Sequence, residues 1–503
     1  MSSFTLSSLF SDKAILCRRK EIRIFGRAED GTNIRVTLLD ASGTVMASDT
    51  AIARDGRFTA YLAPQEAALH CTLRVTDGKT ESIACNIAIG EVYLASGQSN
   101  MELELKDADG GLKAIRIHDN CLVRYYNVPK YARLTTEAEE ANRNAHWQEI
   151  LPGEGRDMSA AAYHFAMRLQ EALNVPVGIV DCYWGGTSVT CWMSKSTLET
   201  ITEGKRYFRE YRQRCGKKTM KQYLAEEAAS NRQMEEWGAK AEELKKNRPE
   251  ITPQELNEIL GPFPWNPPAG PGSPFRPFGL YDTMLSRVVP LALTGVLYYQ
   301  GEEDTWRTEC YEILLSAFIA QLRRDFRDPK LPFLNVQLPM WLPAGGTDTF
   351  TWPRLRKAQQ LVQQVTANSG LAVLIDQGEY DNIHPTNKTV VGERLYYCAL
   401  NTVYHMDAPE PPEACAKYAK SGSLYIRLTQ PVIRINDDTN TLMEIAGEDG
   451  VYHPAEAVIE GTSIRLWSEH VSRPVKVRYA WKDYAIVPYF GENGLPLAPF
   501  CLE

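Results

Sequence analysis

The sequence has little that would suit it to a membrane or to nucleic acid. Among its 503 residues, no apolar run approaches the roughly 20 residues that a helix needs to cross a bilayer. Lys and Arg number 55 against 63 Asp and Glu, which gives a formal net charge of −8. Nucleic acids and anionic membrane surfaces attract proteins that carry excess positive charge. We therefore expect neither as a partner, and we expect a neutral or weakly charged small-molecule substrate.

The first residues and the cysteines bear on the compartment of the protein. Residues 1–6 lack a basic head followed by a long apolar segment, so we expect no signal peptide. The eleven cysteines are scattered and none forms a CxxC pair. This pattern favours free thiols in a reducing compartment, with one isolated bridge left open. The cytoplasm is the expected location, and a secreted or periplasmic protein that has lost its leader is the alternative.

Residues 1–88 have the pattern of a small antiparallel β structure. Short apolar and β-branched runs alternate with turn signals of the Asp-Gly and Ser-Gly type. The predicted strands are residues 21–25, 33–39, 57–62 and 72–76. Because no catalytic constellation is present, we expect a β-sandwich-like domain with a structural or ligand-presenting role.

From residue 89 to residue 408, predicted strands alternate with predicted helices. The strands are residues 92–95, 175–180, 291–299, 333–338 and 371–375. The helices are residues 158–172, 311–326 and 353–365. Alternation of this kind predicts an α/β domain, in which helices cover both faces of a parallel sheet.

Residues 195–275 interrupt that alternation. The first part is rich in Lys, Arg, Glu and Gln, which predicts exposed helices, and residues 261–272 are rich in proline. Proline lacks the amide donor, so this run cannot be regular structure. We expect an insertion that is either a solvated interface element or a substrate-facing lid carrying Phe263 and Trp265.

Residues 409–503 return to short strands separated by turns, at residues 424–428, 432–435, 443–446, 463–467 and 475–480. We expect a second β region there. Packing of this region against the N-terminal one is an open alternative.

A serine stands where the first strand of the α/β region ends. The apolar run 92–95 is followed by small and polar residues, Gly97-Gln98-Ser99-Asn100-Met101, which must carry the backbone through a tight turn. A serine at such a strand end can meet a bound ligand, so Ser99 is a candidate nucleophile. A helix N-cap is the other interpretation of the same residue.

A serine nucleophile needs a base and a group that orients the base. The chain has only eight histidines, and His384 stands just after the strand predicted at residues 371–375. Asp381 precedes it by three residues, and Pro385 restrains the loop, so both side chains could turn to one side. We expect His384 as the base and Asp381 as its partner, with Asp376 and Glu379 as alternative acids.

Glycines and an amide follow the other strands of the predicted sheet. Gly185 and Gly186 come after the strand at 175–180, and glycine lets a main-chain amide approach a ligand closely. Gln300 follows the strand at 291–299 and offers a side-chain amide. Carboxylates alone, at residues 302–304, make a metal site unfavourable. An ordinary glycine turn is the other interpretation of Gly185 and Gly186, and the three segments together are compatible with hydrolysis by a serine nucleophile.

Together these segments resemble the sialate O-acetylesterase branch of the SGNH hydrolases. Four blocks occur in the family's order, namely GQSNM at 97–101, WGGT at 184–187, YQGE at 299–302 and DNIHP at 381–385. Similar segments are FGLYDTM at 278–284, VQLP at 336–339, WPRLRKAQ at 352–359, Asn387-Lys388, Val391-Gly392, VRYAW at 477–481 and GLPLAPF at 494–500. The insertion at 195–275 is the part that the resemblance covers poorly.

The resemblance implies a flavodoxin-like, three-layer α/β/α hydrolase domain at residues 89–408, with accessory β regions at 1–88 and 409–503. It implies an esterase that needs no cofactor and removes O-acetyl groups from sugars, above all from sialic acid. By position, Ser99 would be the nucleophile, His384 the base and Asp381 its partner. The oxyanion hole would comprise the amides of Ser99 and Gly186 and the side chain of Gln300.

The chain departs from the family in two places. Many SGNH hydrolases have an asparagine donor where this chain has Gln300, and members of the branch often have an aspartate where it has Asn382. Four further residues within the blocks are expected to contact substrate, namely Gln98, Asn100, Gly185 and Glu302.

Two other functions stay open at this point. One is an esterase for acetylated xylan or another polysaccharide, which would use the same residues. The other is a carbohydrate-binding protein without catalysis, in which the two β regions bind the sugar. The sequence leaves the oligomeric state undetermined.

Overall fold

The computed structural model describes residues 4–248, 250–435 and 441–503. Over these ranges the fold is mixed α/β, and its strands form sheets of three, eleven, four, two and four strands. No helix among these residues combines the length and the apolar character that a membrane crossing requires. All eleven cysteines lie in the described ranges and are free thiols.

The first eight strands form the N-terminal β structure. Their bounds are β1 Phe4–Leu6, β2 Ile15–Cys17, β3 Ile22–Ala28, β4 Asn33–Leu39, β5 Val45–Ile52, β6 Arg57–Leu62, β7 Ala68–Thr76 and β8 Glu81–Gly97. Strands β1, β3 and β6 make one antiparallel sheet, whereas β4 pairs with β5 and β7, and β7 pairs with β8. The four strands predicted here are confirmed within a few residues.

Strand β5 was not predicted, because its pattern is weak. Its sequence VMASDTAI mixes small and polar residues, and none of its side chains is fully buried. In β4, by contrast, Ile34, Val36 and Leu38 are fully buried and alternate with more exposed neighbours. A strand is predicted from such alternation, and β5 lacks it.

Strand β8 continues from the N-terminal sheet into the centre of the molecule. Its last part is the middle of a parallel set in the order β9-β11-β8-β12-β13-β14. These strands are β9 Asn120–Asn127, β11 Val177–Tyr183, β12 Gly295–Tyr299, β13 Phe333–Val336 and β14 Ser369–Ala372, and the antiparallel β10 Gln148–Ile150 lies at the edge beside β9. β8 runs through residue 88, where the sequence suggests a domain boundary.

Helices connect the strands of this sheet. Their bounds are α1 Ser99–Glu102, α2 Gly111–Ile117, α3 Thr136–Asn144, α4 Ala160–Leu173, α5 Val189–Trp192, α10 Ser286–Val288, α11 Thr308–Asp325, α12 Thr351–Val365 and α13 Lys388–Ala399. The predicted parallel sheet and its three predicted helices are confirmed. The predictions succeed because both faces of these strands are covered, so that β11, β12 and β13 are buried throughout.

The insertion is helical and largely exposed. It contains α6 Lys195–Thr200, α7 Thr202–Cys215, α8 Met220–Asn247 and α9 Pro253–Leu260. Only Tyr223 and Ala241 of the long helix α8 are buried, which confirms the predicted solvated helices. Residues 261–277 then run without regular structure.

The C-terminal strands form three small sheets around a separate apolar core. The strands are β15 Ala414–Lys420, β16 Ser423–Leu428, β17 Val432–Arg434, β18 Met443–Ala446, β19 Tyr452–Pro454, β20 Glu456–Glu460, β21 Ser463–Trp467, β22 Lys476–Tyr479, β23 Tyr489–Gly491 and β24 Phe500–Leu502. Their core includes Met340, Val373 and Ile375 from the central α/β region. This β region therefore packs on the α/β layer at the β14 side, and among the described residues its core includes none from the N-terminal strands.

The contact between helices α4 and α13 provides a test of the packing. A Cβ on Gly392 would lie 2.5 Å from Cβ of His164 and 2.8 Å from the carbonyl oxygen of Ala161. We expect Gly392→Ala to lower the free energy of unfolding by about 1–3 kcal/mol, because the helices must separate. Urea-induced unfolding followed by circular dichroism measures this change.

Gly238 is the matched control, because it lies in helix α8 and, apart from the helix's own backbone, no heavy atom of the described residues lies within 4 Å of its missing Cβ. Gly238→Ala should leave stability unchanged or raise it by up to about 1 kcal/mol. Equal unfolding midpoints for the two variants would contradict the close packing of α4 and α13.

Candidate active site

Three parallel strands end side by side and define the site. Gly97, the last residue of β8, pairs with Tyr183 of β11 on one side and with Tyr299 of β12 on the other. A Cβ on Gly97 would lie 2.1 Å from the carbonyl oxygen of Tyr299, and its φ is +138°. Only glycine fits such a position. The segments that follow these three strands therefore meet at one edge of the sheet, as predicted.

Ser99 and His384 are in direct contact at this edge. Ser99 is the first residue of helix α1, and its Oγ lies 2.8 Å from Nε2 of His384, 285 residues later in the chain. This distance allows a proton to pass from the hydroxyl to the ring nitrogen. Ser99 is partly exposed and His384 is exposed, so a ligand can reach the pair from solvent.

The surroundings of His384 keep its ring neutral. Although His384 is exposed to a ligand, neighbouring protein atoms displace part of the water around its ring; this desolvation, and to a smaller extent the positive charge of Lys388, lower the pKa of His384 to about 4. At neutral pH the ring is therefore unprotonated, and Nε2 can accept a proton from Ser99.

The structure does not bring Asp381 to His384. Asp381 has a φ of +62°, and its Oδ1 accepts a hydrogen bond of 2.7 Å from the amide of Ala344. This left-handed turn directs the carboxylate away from the histidine, which corrects the expectation drawn from the Asp-x-x-His spacing. Asn382, between them, accepts the main-chain amide of His384 at 3.0 Å.

The two alternative acids are also engaged elsewhere. Asp376 forms a two-point ion pair with Arg394, at 2.5 and 2.6 Å. Glu379 accepts a hydrogen bond of 2.7 Å from Nδ2 of Asn382. In the part of the chain that the structure describes, none of these carboxylates hydrogen-bonds the ring of His384.

Two main-chain amides beside Ser99 are free to bind a negative charge. Over the described ranges, no acceptor contacts the amide of Ser99 or that of Gly186. Gly186 has a φ of +68°, and its neighbour Gly185 donates its own amide to the Glu102 carboxylate at 2.5 Å. A Cβ on Gly185 would lie 3.3 Å from Cβ of Ser99. The segment of residues 184–187, which we call the glycine loop, therefore lies next to the serine.

Gln300 does not point into the site, contrary to the expectation from sequence. Its side chain is fully buried, and Nε2 lies 2.7 Å from Oδ2 of Asp304, 3.1 Å from the carbonyl of Thr187 and 3.2 Å from Oε1 of Gln98. Because three acceptors already surround it, this amide is not free for a ligand. Through its bond to Thr187 it holds the glycine loop against the end of strand β12. The burial of Asp304, four residues later, could not be inferred from an acidic run.

The four residues expected to contact substrate lie below the surface of the site. Gln98, Asn100 and Glu302 are buried, and the amide of Gly185 is bound to Glu102. Oε1 of Gln98 accepts hydrogen bonds from the main-chain amides of Gly301 and Glu303, and this holds the loop after β12 in place. In this structure these residues support the site from beneath.

A buried chain of polar side chains joins the two sides of the site, and no sequence pattern predicted it. Asn100, the neighbour of Ser99, donates to the carbonyl of Ile383, the neighbour of His384, at 2.9 Å and to Oε1 of Glu302 at 2.6 Å. Nζ of Lys388 donates to Oδ1 of Asn100 at 2.6 Å. The amide of Asn100 is thus fixed in one orientation and bridges the serine and histidine segments.

The charges at the two ends of this chain are strongly perturbed. Burial lowers the pKa of Lys388 to about 7, against the opposing effect of the Glu302 and Glu379 charges, and burial raises the pKa of Glu302. The second oxygen of Glu302 is buried without a hydrogen-bond partner among the described residues. The signal available in the sequence was a lysine at the start of the helix that follows His384.

Comparison with known proteins gives consistent matches. A family model described as "Carbohydrate esterase, sialic acid-specific acetylesterase" matches residues 265–401. The chain is 24% identical to the sialate O-acetylesterase of Mus musculus, covering 95% of this chain and 90% of that protein. It is 22% identical to the sialate O-acetylesterase of Homo sapiens, covering 95% and 88%.

Among solved structures, a carbohydrate acetylesterase from Xanthomonas citri is similar over the whole chain. The match has a TM-score of 0.77 and 26% identity, and it covers 99% of both chains. The similarity therefore includes the insertion and both β regions.

The influence of Lys388 on the histidine can be measured without any substrate. We expect Lys388→Met to raise the pKa of His384 from about 4, because a nearby positive charge is removed, while desolvation keeps it below the ordinary 6.5. Nuclear magnetic resonance of the histidine rings follows this titration, and His384→Gln identifies the signal.

Lys357→Met is the control, since Lys357 pairs with Glu503 at the surface. It should leave the titration of His384 unchanged. An unshifted His384 titration in Lys388→Met would show that the lysine does not act on the histidine.

Proposed function

We propose that this chain, a member of the sialate O-acetylesterase family, is a serine esterase that removes O-acetyl groups from carbohydrates. The observation that carries the proposal is the 2.8 Å contact between Oγ of Ser99 and Nε2 of His384, beside the free amides of Ser99 and Gly186. A base, a nucleophile and two donors at one strand edge are the components that acyl transfer to serine requires.

The proposed reaction has two steps. Oγ of Ser99 attacks the acetyl carbonyl carbon while its proton passes to Nε2 of His384, and the carbonyl oxygen becomes an oxyanion held by the amides of Ser99 and Gly186. The bond to the sugar oxygen then breaks, and that oxygen takes the proton from His384. A water molecule, deprotonated by His384, attacks the acetyl-enzyme in the same way and releases acetate.

The proposal assigns catalysis to the serine–histidine pair and not to a hydrogen-bonded triad. Asp381 faces Ala344, and Asn382 together with the buried chain through Asn100 holds the segment that carries His384. A carboxylate commonly orients the base of a serine hydrolase. Here main-chain and amide contacts take that positioning role.

The scaffold is proposed to be a flavodoxin-like SGNH hydrolase domain at residues 89–408. Its support is the parallel order β9-β11-β8-β12-β13-β14, with catalytic residues at the carboxyl ends of the strands. Residues 1–88 and 409–503 would be accessory β regions.

The substrate that we propose first is O-acetylated sialic acid, because the matching family and the similar mammalian proteins are named for it. An acetylated polysaccharide or oligosaccharide is the second candidate, because the similar solved structure is named only as a carbohydrate acetylesterase. Both substrates present the same acetyl ester to Ser99.

The nucleophile is tested with a chromogenic acetyl ester. We expect Ser99→Ala to lower kcat by roughly 10³-fold or more with the fold intact, because acyl transfer loses its attacking atom. Ser96→Ala is the matched control: Ser96 lies near the end of strand β8, three residues before Ser99, and its buried hydroxyl has no partner among the described residues. Near-normal acetate release by Ser99→Ala would refute the assignment of Ser99 as nucleophile. If the wild-type protein also released no acetate, a binding protein without catalysis would be favoured.

The sugar is tested with a panel of natural esters. Wild-type protein is compared on 9-O-acetylated sialic acid and on acetylated xylo- and manno-oligosaccharides, and acetate release gives kcat/KM for each. We expect the highest value for the sialic acid. A clear preference for either plant-type oligosaccharide would replace the first candidate with the second.

A further inference from the structure

The insertion reaches the glycine loop of the active site through Trp265. A Cβ on Gly186 would lie 2.4 Å from Cζ2 of Trp265, so the indole ring lies directly on this glycine. The same ring packs edge-on against Phe275, with 5.5 Å between the ring centres. About half of Trp265 remains exposed, at 48%. A large exposed aromatic beside a catalytic loop is a feature of ligand-binding surfaces.

The segment that carries Trp265 is held in place on both sides. The amide of Gly270 donates to the hydroxyl of Tyr211 at 3.0 Å, and Nζ of Lys218 donates to the carbonyl of Ala269 at 2.8 Å. Arg133, from the α/β region, donates to the carbonyl of Gly272 at 3.2 Å. Prolines at 262, 264, 267, 268 and 271 restrict the backbone further. The indole is therefore preorganised, which reduces the entropy lost on binding.

Trp265 lines two cavities of different size. The smaller, of about 90 Å³, lies between Trp265, Trp306 and Tyr207. The larger, of about 390 Å³, lies between helix α8 and the α/β region, and Trp184 and Trp265 both line it. We call the larger one the tryptophan cleft. Its volume falls in the range of small-molecule sites, and Trp184 begins the loop that contains Gly185 and Gly186.

The polar groups of the tryptophan cleft suit a neutral ligand. Its two cations are already paired, since Lys130 forms an ion pair with Glu102 and Arg133 contacts Glu227 at 3.1 Å. Asn231 of helix α8 also lines the cleft, and it is exposed, so its side-chain amide is accessible to a ligand. A sugar offers apolar ring faces for indoles and hydroxyl groups for an amide, without a charge to neutralise.

We propose that the tryptophan cleft binds a neutral pyranose unit linked to the acetylated sugar, so that the chain recognises its acetyl ester within an oligosaccharide. Ser99 and His384 do not line the cleft, and the acetyl group reacts next to it. This inference rests on the proposed esterase function, and it assigns the insertion a role in substrate recognition.

Kinetics on two substrates test the cleft. For Trp265→Ala we expect KM to rise roughly tenfold on 9-O-acetylated sialyllactose and on acetylated xylo- and manno-oligosaccharides, because a preorganised aromatic contact is lost. On a small chromogenic acetyl ester the loss of kcat/KM should be clearly smaller, since that ester does not reach the cleft and is affected only through the contact of Trp265 with Gly186. Phe263→Ala is the matched control, from the same loop and with similar exposure of 45%, but outside both cavities.

A second variant separates recognition from support of Gly186. Asn231→Ala does not touch the glycine loop, and it should raise KM only on the oligosaccharides, by several-fold. If Trp265→Ala lost kcat/KM equally on the oligosaccharides and on the small ester, while Asn231→Ala kept its kcat/KM on both, Trp265 would only support the glycine loop. An unchanged oligosaccharide KM in both variants would equally overturn the proposal.

Binding without catalysis distinguishes failure of the cleft from failure of the esterase function. Titration calorimetry with xylotetraose, mannotetraose and sialyllactose, none of them acetylated, should detect binding of at least one to wild-type protein and to Phe263→Ala. Trp265→Ala should lose that binding. Binding that survives Trp265→Ala, or no binding to wild-type protein, would overturn the proposal whatever the esterase assay shows.

Discussion

The pairing of Gly97 with strands on both sides is the constraint on which the site depends. Because Tyr183 and Tyr299 lie in register with this one residue, the three segments that follow must leave the sheet at the same level. The close approach to Tyr299 excludes any side chain at Gly97. The pairing of the main chain alone therefore brings together Ser99, the glycine loop and the segment that begins with Gln300.

The reacting pair is then adjusted by polar groups that a substrate never touches. Asn100, the residue after the nucleophile, donates a hydrogen bond to Ile383, the residue before the base. Lys388 and Glu302 bind the oxygen and the nitrogen of its side-chain amide. Buried amides and charges are expensive unless their partners are complete. The geometry of Ser99 and His384 therefore depends on a buried network whose members are far apart in sequence, and a change in any of them is transmitted to both.

Sequence patterns predicted the parts of the molecule that follow from local chemistry. Buried parallel strands are apolar throughout, so β11, β12 and β13 were placed within a few residues, and the scarcity of histidine pointed to His384. The patterns failed where a side chain's direction depends on distant contacts. The left-handed backbone of Asp381 directs its carboxylate to Ala344, and Asp304 draws the amide of Gln300 into the interior. Strand β5, which has no apolar alternation, was missed for want of a local signal.

The length of β8 has a consequence for how the chain comes apart. One strand of 17 residues is bonded to β7 and β2 in its first part and to β11 and β12 in its last part. Elements that share the hydrogen bonds of one strand tend to unfold together, so local unfolding at one end of a strand can extend along it. The N-terminal β structure is thus mechanically continuous with the serine that follows Gly97 and Gln98, and loosening it would relax the position of the nucleophile.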